Sequence, residues 1–146
     1  DFSNSDRHSI KNNLLTAKKA KKHLMDDGIL IIFPSGSVSV AKNLKSAAID
    51  DDWKTFLAKL VHQTKANILP IYFDGKNGLL FHIFASKIKS STLKYSSYIH
   101  ETRKKIGKEI IIYAGKIIEY RTVSHISDRG ELTNYLKKKT YNIKNE

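Results

Sequence analysis

"ILIIFPSGSVS", Ile29 to Ser39, is the stretch on which the reading of the fold turns. Four branched apolar residues and Phe33 run without a polar break between Gly28 and Pro34. A short continuous apolar run bounded by Gly and Pro predicts a strand covered on both faces, as in a parallel sheet. A small, hydroxyl-rich turn follows it. Pro34 fixes the exit direction, Gly36 frees the backbone to aim its N–H groups, and Ser35, Ser37 and Ser39 carry hydroxyls. Open α/β sheets bind ligands just beyond the carboxyl ends of their strands, so the turn is a candidate seat for a polar head group. The same residues equally suit a plain tight turn whose serines satisfy their own backbone.

Working outward, Ile10, Leu14, Ala17, Leu24 and Met25 fall near helical spacing, with Lys18, Lys19, Lys21 and Lys22 between them. This predicts an amphipathic helix closed by Gly28. Its lysines suit either a solvated face or one turned to a membrane. Downstream, Asp50, Asp51 and Asp52 are placed to cap a helix and complement its dipole; metal binding is the other reading of three adjacent aspartates. Trp53, Phe56, Leu57, Leu60, Val61 and Thr64 then form one stripe at i, i+3, i+4 spacing.

"NILPIYF", Asn67 to Phe73, predicts a second strand, and Pro70 makes it an edge strand or one bent where something approaches. "DGKNG", Asp74 to Gly78, is a turn cluster followed by the apolar "LLFHIF". Tyr95, Tyr98, Ile99, Thr102 and Ile106 suggest a third helix, "EIIIYAG" a third β-like run from Glu109 to Gly115, and Ser127 to Tyr141 a basic last helix. Alternation of helices and strands indicates an α/β fold with a mixed, largely parallel central sheet flanked by helices. With no linker or repeat, residues 1–146 read as part of one domain.

Twenty-six Lys and Arg against 14 Asp and Glu give a formal charge of +12. Such a charge favours polyanions: nucleic acid, an anionic membrane surface or phosphorylated substrates. The absence of cysteine excludes disulfides, a thiolate nucleophile and Cys-ligated zinc, and suits a reducing cytoplasm. No apolar run approaches the ~20 residues of a spanning helix. The start, "DFSNSDRHS", lacks both a signal-peptide layout and an initiator Met, which suggests that sequence is missing upstream.

His8, His23, His62, His82, His100 and His125 form no H-E-x-x-H pair or other metal grouping, and no metal is expected. Phosphate-loop, dinucleotide and nucleophile-elbow patterns are missing, as are nucleic-acid recognition motifs, so specific nucleic-acid binding is not expected. Ser35 as a nucleophile would need a base that the sequence does not identify.

The segments "FPSGSVS" (Phe33 to Ser39), "DDWKTF" (Asp51 to Phe56), "PIYFDGKNGLLFH" (Pro70 to His82) and "YLKKKTYNI" (Tyr135 to Ile143) stand in an order that resembles the PlsC-like glycerophosphate and lysophospholipid acyltransferase superfamily. The resemblance is closest to its hemolysin-annotated and ornithine-lipid-type branch, and covers nearly the whole chain. It implies a glycerol-3-phosphate acyltransferase-like fold, of which this chain is the C-terminal part. It also implies transfer of a fatty acyl group from acyl carrier protein or acyl-CoA to a lysolipid or amino-acid lipid precursor. Phe33, Pro34, Ser35, Gly36, Ser37 and Ser39 correspond to the family's F-P-E-G-x-R-S block and Pro70 to its later proline block, which makes them the candidate substrate-binding residues. The family's Glu and Arg are replaced by Ser35 and Val38, so no guanidinium is there to fork onto a glycerol phosphate, and an amino-acid lipid or another lysolipid fits better.

The family's reaction uses an H-x-x-x-x-D pair, the His as general base and the Asp orienting it. Five positions beyond the six histidines stand Asn13, Gly28, Asn67, Lys87, Lys105 and Gly130, none of them Asp. No catalytic residue is therefore assigned within the chain; the dyad is expected upstream of Asp1, and the chain alone is expected to be inactive. The resemblance implies no bound cofactor, and a peripheral place on the cytoplasmic face of the inner membrane. The alternatives are a non-catalytic lipid- or nucleic-acid-binding module, or one subunit of a split enzyme.

Overall fold

The computed structural model describes residues 7–41, 48–75 and 91–145. Helix α1, Arg7–Met25, leads the chain. Its end differs from the sequence expectation: Asp27, at φ 58°, takes the left-handed position, not Gly28. The Gly28 N–H reaches back to the His23 carbonyl at 2.8 Å, the wider of the two bonds that close a Schellman ending. Glycine is needed at 28 for space, since a Cβ there would stand 2.5 Å from the His23 carbonyl oxygen.

Residues 29–33 also depart from expectation. They join no ladder among the described residues, and they are not covered on both faces. Ile29, Ile31 and Phe33 are 87%, 75% and 72% exposed, while Leu30 and Ile32 are half-buried. One side of the run has found cover and the other has not.

Strands β1, Val40–Ala41, and β2, Ala48–Ile49, pair antiparallel. Helix α2, Phe56–Thr64, begins later than the aspartates and is not capped by them: its N-cap is Thr55, which makes no side-chain cap bond. The predicted stripe is partly kept. Leu60 and Val61 are buried, Leu57 packs at the edge of the core, and Ala58, outside the stripe, is fully buried.

Strand β3, Ile71–Asp74, pairs antiparallel with β4, Ile111–Ala114, Ile71 opposite Ala114. Beyond Pro70 the pairing resumes as a bridge between Ile68 and Ile118. From 68 to 71 the first strand advances three residues while its partner, from 114 to 118, advances four. The extra residue is a bulge, which bends the ribbon at Pro70. Of the two readings of Pro70, the described residues show both: β3 is an edge strand of a two-stranded sheet, and the ladder is bulged at the proline. Both described sheets are two-stranded and antiparallel, and the described residues contain no parallel pair.

Helix α3, Ser91–Lys105, precedes β4, and Gly107, at φ +74°, turns the chain between them. A short helix α4, Tyr120–Val123, leads to α5, Arg129–Asn142, and a 3₁₀ turn, Ile143–Asn145. Asp128 caps α5 by accepting the Glu131 N–H at 2.7 Å. The core lies where α5 meets α2: Leu132 and Leu136 pack with Ala58, Val61 and Val123, flanked by Trp53, Ile68 and Ile118. No described helix is long and apolar enough to cross a membrane.

Candidate functional site

The turn after Phe33 is fixed first by its own backbone. The Gly36 N–H donates to the Phe33 carbonyl at 3.2 Å, with Pro34 at the second position of the turn. Gly36 then adopts φ +68°, the left-handed conformation that favours glycine. A Cβ at 36 would meet nothing within 4 Å, so backbone conformation and not crowding selects glycine here.

The serines are held inside the protein's own network. Ser35, only 6% exposed, donates through Oγ to the Ser37 carbonyl at 2.8 Å and accepts the Ser37 N–H at 3.3 Å. Ser37 Oγ donates to an Asp51 carboxylate oxygen at 2.8 Å, and Ser39 Oγ donates to Asp50 Oδ1. The Lys54 N–H donates to the Pro34 carbonyl at 2.9 Å. Asp50 and Asp51, expected as helix caps, thus anchor the serine turn. Their chemistry is the same in both roles, since a carboxylate will accept from either a backbone N–H or a hydroxyl. Among the described residues no cluster of three or more His, Asp or Glu could hold a metal ion.

Three residues outside the predicted site complete it. Trp53 Nε1 donates to Asp50 Oδ2 at 2.8 Å. From α5, Lys137 Nζ donates to the Asp50 and Asp51 carbonyls, each at 2.9 Å. One turn further along, the Tyr141 hydroxyl accepts the Asp50 N–H at 2.8 Å. Burial pushes the Tyr141 hydroxyl above its ordinary value; the Asp50 N–H opposes that and the Asp50 charge adds to it. Lys137 and Tyr141 stand four residues apart, so both face one side of α5. That spacing was a legible signal, but their partner on the aspartate loop was not.

The ribbon approaches this cluster through rings. Phe33 lies 6.5 Å from Phe73, and Tyr72 lies 5.7 Å from Tyr141, edge to face. Pro70 sits apart from the serine turn. It lines a separate cleft of about 300 Å³ at the bulge, with Gly115, Lys116 and Ile118, and with Tyr135, Lys139 and Ile143 from the α5 side. Of the "DGKNG" turn, Asp74 receives Lys144 Nζ at 2.8 and 2.9 Å, and residues 76–78 lie outside the described residues, as does His82.

The turn can therefore present Phe33, the open face of Gly36 and the remaining lone pairs of Ser37 and Ser39, while Ser35 is buried within it. Among the described contacts no histidine bonds to any of these serines. His23 Nε2 instead lies 3.0 Å from the Ile29 carbonyl.

No family model matches the chain, and no solved structure matches it. Two curated proteins are similar. A lyso-glycine lipid O-acyltransferase of Bacteroides thetaiotaomicron is 26% identical over 131 residues, covering 86% of this chain and 47% of the relative. A protein of the same name from Phocaeicola vulgatus is 24% identical over 131 residues, covering 86% of this chain and 46% of the relative. The chain spans about half the length of these relatives. At this low identity, the similarity supports a distant relationship to acyltransferases.

Proposed function

We propose that the chain forms the acceptor side of a PlsC-like lysolipid acyltransferase whose complete sheet is mixed and largely parallel. The observation that carries this reading is the meeting of three distant blocks. "FPSGSVS", "DDDW" (Asp50 to Trp53) and "YLKKKTY" join through Ser37–Asp51, Ser39–Asp50, Lys137 and Tyr141 into one bonded cluster behind the turn. Side chains held so firmly are suited to fix the shape of a binding surface, which is what positioning an acceptor requires.

In this reading the acceptor is a monoacylated amino-acid lipid, in keeping with the lyso-glycine lipid named for the relatives. Its hydroxyl oxygen attacks the thioester carbonyl of acyl carrier protein or acyl-CoA. The C–O bond forms, the C–S bond breaks, the hydroxyl proton passes to a general base, and the departing thiolate takes up a proton. The base is a histidine carried by polypeptide other than these residues, either joined to them or on a separate chain. Phe33, Pro34, Gly36, Ser37 and Ser39 contact the head group, and the buried Ser35 holds the shape of the turn. The lysine-bearing face of α1 rests on anionic lipid at the cytoplasmic surface, each Lys contributing ~1 kcal/mol.

The test uses the 146-residue chain with a monoacylated glycine lipid and an acyl thioester. The chain is expected to bind the lysolipid and to release no thiol. Thiol release by the chain alone would overturn the assignment of the base. Failure to bind the lysolipid, or binding unchanged in Gly36→Val, would overturn the role given to the turn.

A further inference from the structure

The ribbon of β3 and β4 carries its apolar side chains on the uncovered side. Residues directly opposite in an antiparallel pair share a face, so Ile71, Phe73, Ile112 and Ala114 form one face and Tyr72, Asp74, Ile111 and Tyr113 the other. The second face is the one turned to α5: Tyr72 packs edge to face on Tyr141, and Asp74 receives Lys144. The first is wholly apolar and open, with Ile71, Phe73 and Ile112 40%, 50% and 53% exposed. A sheet with one solvated face ordinarily does the reverse, apolar in and polar out.

The run before the serine turn extends this open face. Exposure alternates along it, with Ile29 and Ile31 outward and Leu30 and Ile32 half-buried. Phe33, its ring 6.5 Å from that of Phe73, joins the run to the ribbon and marks the border with the serine turn. Ile29, Ile31, Ile71, Phe73 and Ile112 carry no polar side-chain atom, in a chain of formal charge +12. Their exposed surface comes to roughly 600 Å², the top of what a monomer carries in one apolar patch. Doubled, it is about 1,200 Å², the lower bound of a stable specific interface before any rim is counted.

We propose that this face is the contact between two copies of the chain, packed sheet on sheet about a two-fold axis. A face without charged or hydrogen-bonding side chains meets itself with no polar side chain left unpaired, as an isologous contact demands. An acidic protein, the other partner that a charge of +12 attracts, would bring carboxylates against side chains that cannot bond them. Stacked sheets stand ~10 Å apart, a space that interdigitating Ile and Phe side chains fill. The contact uses a face of the ribbon and not its backbone edges, so the pair closes on itself instead of growing into a string of copies. It holds whether or not the chain takes part in acyl transfer.

Sedimentation equilibrium of the full 146-residue chain, from micromolar to submillimolar concentration at low and at high sodium chloride, tests the contact. A monomer–dimer equilibrium with no larger species is expected. It should tighten with salt, which screens the repulsion between two cationic copies. Ile31→Lys and Ile112→Lys should each weaken the dimer about tenfold or more. Ile117→Lys is the control: Ile117 is 63% exposed but lines the cleft on the α5 side, so its dimer should match wild type. All three residues are exposed, so the fold should be kept; where circular dichroism shows otherwise, Ile31→Ser or Ile112→Ser is read instead, with weakened association expected. The proposal is overturned by a monomer at every concentration, by open-ended association, or by a dimer that loosens with salt. Unchanged dimerisation in either Ile31→Lys or Ile112→Lys, or equal weakening in Ile117→Lys, overturns it as well. So does co-sedimentation with phosphatidylcholine vesicles in place of dimerisation, abolished by Ile112→Lys, which would assign the face to lipid.

Discussion

Tyr141 and Asp50, ninety-one residues apart in sequence, are joined by a 2.8 Å hydrogen bond from the Asp50 N–H to the tyrosine hydroxyl. The bond ties the last long helix to the loop that holds the serine turn. Tyr141→Phe keeps the ring against Tyr72 and removes only the acceptor. A half-buried N–H left without a partner costs about 1–2 kcal/mol. Urea denaturation should therefore show a lower midpoint with an unchanged slope.

The same hydroxyl predicts a response to alkali. Burial is the largest cause raising its folded-state pKa above the unfolded phenol value of about 10. The neutral phenol is favoured in the folded state, so its contribution is complete below pH ~10 and is lost as pH rises through the folded pKa. Wild-type stability should fall across that alkaline window more steeply than that of Tyr141→Phe. Equal slopes would mean that the hydroxyl is not held as described.

Lys137 offers a sharper contrast, because the chain carries Lys138 beside it as a control. Lys137 donates to two carbonyls of the aspartate loop, whereas Lys138 is exposed. Lys137→Met should cost about 1.5–3 kcal/mol, the range for bonds from charged groups. Lys138→Met should stay within about 0.5 kcal/mol of wild type. Trp53, the single tryptophan, donates to Asp50 and reports on the loop. Its emission should shift in Lys137→Met and not in Lys138→Met.

What could be read from the sequence was mostly local. The periodicity of α1, α2, α3 and α5, the turn at Pro34 and Gly36, and the bend at Pro70 all follow from spacing and from the special backbones of Pro and Gly. Partner choice across the chain was not readable. Three aspartates before an apolar stripe look like a cap, and only the approach of Ser37, Ser39 and Lys137 reveals them as an anchor. Continuous hydrophobicity at residues 29–33 likewise signals a need for cover without saying what supplies it. Ile29, Ile31 and Phe33 remain exposed beside a ribbon whose Ile71, Phe73, Ile111 and Ile112 are also exposed.

Two glycines separate backbone strain from crowding, and the structure orders them. At Gly36 the cost of a side chain is conformational: φ is +68°, and nothing lies within 4 Å of an added Cβ. Gly36→Ala should cost about 1–2 kcal/mol, and Gly36→Asn less, since asparagine tolerates the left-handed region. At Gly28 the cost is steric, because a Cβ would press to 2.5 Å on the His23 carbonyl that Gly28 itself bonds. A backbone atom cannot swing aside as a side chain can, so even alanine must open the end of α1. Gly28→Ala should therefore destabilise more than Gly36→Ala, and Gly28→Asn should bring no relief. Thermal unfolding of the four variants decides the matter: rescue by asparagine at 36 alone is the expected pattern, and rescue at both positions would show that conformation and not contact governs residue 28.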